Sequence, residues 1–189
     1  MLNNWSFWLL LTCLLGLALG YDVATRRIPN WLVLAGAIAG VSCSLFATQA
    51  AGGLPLGVSG LGLGKSLLGA LTGLAIMSPL YLLRAMGGGD AKLMAAIGTF
   101  LGPMQVLGAA LLTFVAGGVL SLIVALWSRS LPRVLGNLQL MGMTAASGRL
   151  SGLSLRDVQT TGRLPYAIAI AVGTVLQLWL ATRAEWVFV

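Results

Sequence analysis

Apolar residues along this chain come in long unbroken runs, and the polar residues gather at a few junctions between them. Runs of about 18 residues or more can cross a bilayer core about 30 Å thick. Because they are continuous rather than alternating, they predict helices and argue against a barrel. A first helix is expected over 5–21, ending in the polar segment "YDVATRRIPN". Pro29 suits the first turn of a second helix over 30–49. The Gly-rich stretch "AAGGLPLGVSGLGLG" reads as a loop, and a third helix follows over 65–84, with Pro79 a kink near its end. After "GGG", residues 90–102 form a short fourth helix, tilted or only partly spanning. Pro103 marks a break before a fifth helix over 104–127. The polar stretch 128–163 carries five arginines, and a sixth helix over 164–181 follows it. With no internal repeat, the pattern predicts an all-α polytopic membrane protein of about six transmembrane helices, forming one membrane-embedded domain over 1–189.

Composition supports this class. The chain is 58% hydrophobic and 8% charged, with a mean hydropathy of +0.97, far too apolar for a soluble domain of 189 residues. Its net charge of +7 does not point to nucleic acid, because the basic residues are scattered rather than clustered in a stripe. They sort by membrane side instead. With the junction between the first two helices in the cytoplasm, Arg26, Arg27, Arg84, Lys92, Arg129, Arg133, Arg149, Arg156 and Arg163 lie there, against Lys65 and Arg183 on the other side. Nine against two follows the positive-inside bias and puts both termini outside. The tryptophans at 5, 8, 31, 127, 179 and 186 suit interfacial belts. Cys13 and Cys43 lie inside apolar runs, and there is no histidine, so neither a disulfide framework nor a zinc site is indicated. The first run lacks a basic segment before it and reads as a retained helix rather than a signal peptide.

Four acidic residues remain: Asp22, Asp90, Asp157 and Glu185. The last two sit in polar stretches. Asp22 and Asp90 lie where an apolar helix meets the cytoplasmic face, and a carboxylate at a helix centre costs roughly 2.5–3.5 kcal/mol, less near an interface. Each alone can be read as an interfacial cap, with "GGG" a tight turn and Asp90 its N-cap. Two on one face out of four suggest a shared site. Two carboxylates within hydrogen-bonding range hold one proton between them, so one can activate a water while the other donates to a carbonyl oxygen. A Ser–His triad is impossible without histidine, and a cysteine nucleophile would lack its base. Gly87, Gly88 and Gly89 can adopt positive φ or admit close approach, shaping the turn that delivers Asp90. The free N–H groups of the helix start, together with Lys92, favour negative charge on Asp90.

These residues resemble the type IV prepilin peptidases, within the wider group of membrane aspartyl proteases with a G-x-G-D motif. "GGGDAKLMAAIG" supplies that motif at Gly87–Asp90 and extends it through Lys92, Leu93 and Gly98. "DVATRRIPN" supplies the partner motif, with Asp22, Arg27, Ile28, Pro29 and Asn30 at the family's spacing. "RLPYAIAIAVG" looks like the closing helix of the small members serving Tad/Flp pili. The resemblance implies an endopeptidase of the bacterial inner membrane, needing no metal or cofactor, that removes the basic leader of prepilin or pseudopilin precursors at the cytoplasmic edge of the bilayer. Asp22 and Asp90 carry over as the catalytic pair, with Gly87, Gly88 and Gly89 shaping the second motif. Lys92 is a candidate contact for a substrate carboxylate, or an interfacial anchor. The partners implied are the precursors, the lipid bilayer and the pilus assembly machinery, and no nucleic acid. Larger family members carry a cytoplasmic insertion with paired cysteines and also methylate the new N-terminus. This sequence has no CxxC, so peptidase activity without methyl transfer is expected. Competing readings are a presenilin-type intramembrane protease, a small proton-coupled transporter with its acids near the midplane, and a non-catalytic assembly scaffold.

Overall fold

The computed structural model of the chain describes residues 4–49, 62–82, 86–127 and 166–183. These residues form five helices: α1 (Asn4–Thr25), α2 (Asn30–Gln49), α3 (Gly62–Leu82), α4 (Gly88–Trp127) and α5 (Tyr166–Arg183). No strand occurs among them. Phe7–Thr25, Gly62–Leu82 and Gly88–Val124 are long and apolar enough to cross a membrane, while α2 and α5 contain shorter apolar helices. The expected loop at 50–61 and the polar stretch 128–163 lie outside the described residues. The chain divides into two compact units, Met1–Gly117 with Pro165–Val189, and Gly118–Leu164. Of the second unit, the described residues 118–127 are the last turns of α4, with Val119, Leu122, Ile123, Leu126 and Trp127 exposed.

The fourth and fifth expected helices correspond to the two arms of α4. The arms are separated by Gly102, whose φ of 78° and ψ of 177° lie outside the helical region. Only glycine takes such a conformation readily, and Pro103 follows with no N–H to continue the ladder. The carbonyl of Thr99, four residues before Pro103, thereby loses its helical donor. Two neighbouring helices replace it: Ser66 Oγ of α3 donates to Thr99 O at 2.8 Å and Ser44 Oγ of α2 at 3.2 Å. All three residues are buried. In a membrane interior, where an unpaired carbonyl costs several kcal/mol, this repair makes the break tolerable.

Neighbours along α4 show that its arms run in opposite senses. In the first arm, Lys92 meets Asn30 at the start of α2 and Thr99 meets Ser44 further along, so the arm runs with α2. Beyond the break, Gly108, Thr113 and Gly117 lie against Gln177, Gly173 and Tyr166, in reverse order, so the second arm opposes α5. Both α2 and α5 start beside the end of α1, with Ala167 of α5 bonded to Asp22. They therefore run the same way, and the chain doubles back at Gly102.

The first arm is the centre of this unit. From Asp90 to Gly102 every residue except Lys92 and Ala95 is buried. A segment apolar on all sides belongs inside a bundle rather than on its lipid face. The helices around it approach through small residues. Ser66, Gly69, Gly73 and Met77 form the buried stripe of α3, and the backbones of Gly69 and Gly98 touch. A Cβ on Gly73 would lie 2.6 Å from the Met94 carbonyl oxygen. This is the close packing that drives helix association in lipid, where the hydrophobic effect between helices is lost. Around it, Leu9, Leu34, Ile38, Leu71, Leu111, Val115 and Val175 point outward, as a lipid-facing surface requires.

Candidate active site

Asp22 is positioned by the period of α1. Phe7, Leu11, Leu14, Leu15 and Ala18 are buried at spacings of three and four, and Asp22 is the next residue on that stripe. The helix does not stop where its apolar run stops, at Tyr21, but continues one turn to Thr25. Asp22 thus projects inward with 6% of its surface exposed. Arg26 ends the helix in the left-handed conformation (φ 52°), donating its N–H to Asp22 O at 2.8 Å. For a residue with a Cβ this conformation costs roughly 1–2 kcal/mol. The turn that follows buries Ile28, and Pro29 O receives the N–H of Leu32 at 3.1 Å, making Pro29 the cap before α2.

Asp90 is placed by a different local device. Gly87 precedes α4, and Asp90 is the third residue inside it, one turn later than an N-cap. Its Oδ2 accepts the N–H of Gly87 at 3.2 Å, while its own N–H donates to Gly87 O at 3.1 Å. This is half of a capping box, with the acid in the first turn reaching back to the residue before the helix. None of the three glycines has a positive φ, contrary to one reading of the sequence. They are needed for space: a Cβ on Gly88 would lie 3.1 Å from the Tyr81 ring, and one on Gly89 3.1 Å from Ile28 Cβ. Gly89 therefore lets the α1–α2 turn pack directly on the start of α4, and so joins the two motifs.

The two aspartates, far apart in sequence, share one end of the first unit, both buried and with Asp22 close enough for its charge to act on Asp90. Each has one oxygen tied down by a backbone N–H at the start of a helix. For Asp22 the donor is Ala167 in the first turn of α5, at 3.0 Å from Oδ2. A helix-start N–H thus reaches both carboxylates, not Asp90 alone. On each carboxylate Oδ1 has no hydrogen-bond partner among the described residues, yet it is not sealed, since Thr174 Oγ1 is the one fully buried unpartnered side-chain N or O atom among them. Two accessible oxygens thus remain at the same end. Lys92 is exposed and donates from Nζ to Asn30 Oδ1 at 3.0 Å, bridging the starts of α4 and α2. Arg26 and Arg27 are exposed on the same end. No group of three metal-ligating side chains occurs among the described residues.

Sequence reading missed the contribution of α5. Ala167 acts through its backbone, which carries no side-chain signature. The one hint was Pro165 just before an apolar run, a common prelude to a helix start with free N–H groups. Beside it, Tyr166 is half-buried, its ring against Gly117, and close enough to Asp90 for their charges to interact.

Together these features define a helical membrane protein whose buried carboxylates converge at one end of its helices. Residues 9–122 match the type IV leader peptidase family, well over half of the chain, and the protein belongs to that family. It is a peptidase of this type, with prepilin-like proteins as its substrates. Neither the curated proteins nor the solved structures give a match.

Proposed function

We propose that the protein is an aspartyl endopeptidase of the bacterial inner membrane that cleaves the basic leader from type IV or Flp prepilin precursors at the cytoplasmic edge of the bilayer, with Asp22 and Asp90 as its catalytic pair. The observation that carries this reading is their convergence: two buried acids, each pinned through Oδ2, each with an open Oδ1, at the same end. Brought within hydrogen-bonding range in a low-dielectric setting, two carboxylates do not both ionise, and the pair holds one proton. The ionised carboxylate takes a proton from a water as its oxygen attacks the scissile carbonyl carbon. The protonated one donates to the carbonyl oxygen. Collapse of the tetrahedral intermediate breaks the C–N bond, the leaving amine takes the first proton, and the intermediate's hydroxyl returns the second, restoring the pair.

The position of the acids supports cleavage at a membrane edge. A proton-coupled transporter would hold its acids near mid-helix, and a presenilin-type protease cuts within the hydrophobic segment. Here Asp22 is in the last turn of α1 and Asp90 in the first turn of α4. Arg26, Arg27 and Lys92 at that end support a cytoplasmic orientation, and Lys65 in the first turn of α3 lies toward the other. The whole chain acts as one peptidase domain, delivering mature subunits to the pilus assembly machinery. Methyl transfer is not part of the activity, for the sequence carries no paired cysteines of the kind found in methylating relatives.

The test is co-expression with a prepilin, following the shift from precursor to mature size. Asp22→Asn and Asp90→Asn each abolish processing while the protein still accumulates in the membrane. Normal cleavage by either variant removes the dyad.

A further inference from the structure

A carboxylate in the last turn of a helix has two free side-chain torsions, and fixing them takes a partner. Among the described residues Asp22 has one, the N–H of Ala167, 145 positions away in sequence. Both residues are buried, at 6% and 2% exposure, so water does not readily substitute for the bond. A helix start offers such N–H groups without cost to its own hydrogen-bond ladder, because the first four have no partner inside the helix.

We propose that the first turn of α5 is a working part of the catalytic apparatus: the Ala167 N–H is a positioning group that holds Asp22 Oδ2 and so aims Oδ1 at the water. The arrangement mirrors that of Asp90, whose Oδ2 is held by Gly87. The two carboxylates are thereby presented alike, each by a backbone donor whose position is set by a helix start rather than by a mobile side chain. Such preorganisation matters most in the transition state, when reacting atoms must stay aligned. A plain structural role for the contact, with Asp22 serving only to cap α5, predicts instead that losing it affects stability and leaves turnover intact.

This inference rests on Asp22 being catalytic, and the experiment separates the two. In the full-length protein reconstituted in lipid nanodiscs, Ala167 is replaced by lactic acid through nonsense suppression, exchanging the N–H for an ester oxygen and changing nothing else in the side chain. Ala167→Pro removes the same donor at a first-turn position where a helix tolerates proline, and Ala167→Ser keeps it. The substrate is a synthetic peptide with a basic leader followed by the first turns of an apolar helix. The ester lowers kcat about tenfold or more, as expected for a hydrogen bond to a charged acceptor, with KM little changed and the melting temperature close to that of the parent. Proline does the same, and serine restores the rate. Parental kcat in the ester protein overturns the proposal, as does a serine variant as slow as the ester, which would assign the effect to packing. If Asp22→Asn is inactive while the ester is fully active, only this inference falls. If Asp22→Asn cleaves normally, the dyad itself falls, and the positioning role with it.

Discussion

At the scale of single residues, the site is built from close contacts at its glycines, where an added Cβ would lie 3.1–3.2 Å from its neighbours. A Cβ on Gly89 would lie 3.1 Å from Ile28 Cβ, tighter than ordinary contact, so Gly89→Ala should push the α1–α2 turn a few tenths of an ångström from α4 and loosen the join between the two motifs. Overpacking of this kind costs about 1–3 kcal/mol. Processing should fall several-fold more than membrane accumulation, and Ile28→Ala should recover part of the loss, which a double-mutant cycle measures. Lys92→Met removes the bridge to Asn30. As the pair is exposed, the expected stability loss is below about 1 kcal/mol, with KM for the precursor unchanged; a several-fold rise in KM would instead place Lys92 against the substrate. The acids draw the eye in the sequence because only four carboxylates occur in an apolar chain, and the three glycines because they stand in an unbroken run just before one of them. The reason for the glycines could not be found there, since positive φ and close approach leave the same mark. The Ala167 donor left no mark at all.

At the scale of helices, α2 begins and ends where the pattern of apolar residues predicts, at Asn30 and Gln49. The first helix was expected to stop at Tyr21 and runs to Thr25, because hydrophobicity reports contact with lipid while the end of a helix is set by backbone geometry, here the left-handed Arg26. Pro103 did signal the break in α4, but nothing in the sequence told how its orphaned carbonyl is satisfied. That answer lies in Ser44 and Ser66, on two other helices. Interhelical bonds of this type contribute roughly 0.6–2 kcal/mol. Either serine to alanine alone should have a small effect, since the other still covers Thr99. Ser44→Ala with Ser66→Ala should lower stability by more than the two single losses combined, read from thermal unfolding in detergent.

At the scale of the whole molecule, the ends of the first unit differ in chemistry. Arg26, Arg27, Lys92 and both aspartates share one end, where Tyr21 and Trp31 pack edge to face at 6.1 Å. Trp8 and Trp179 lie toward the other end. Cysteines placed at Arg27 and Lys65, in a chain with Cys13 and Cys43 replaced, should react with an impermeant thiol reagent from opposite sides, position 27 only after the cytoplasmic side is opened. Processing by the purified protein should continue in excess chelator, because carboxylates and water suffice for the proposed chemistry. Loss of activity that added metal restores would contradict that expectation.

The bond between Asp22 and Ala167 also bears on how such a protein is made. The first aspartate leaves the ribosome early, while its partner donor emerges only after 144 further residues have been added. A nascent chain therefore carries both acids long before it carries the donor bonded to one of them. On the proposed mechanism, proteolytic competence awaits the first turn of α5, and a chain made only as far as α4 holds both acids without the means to cut its neighbours.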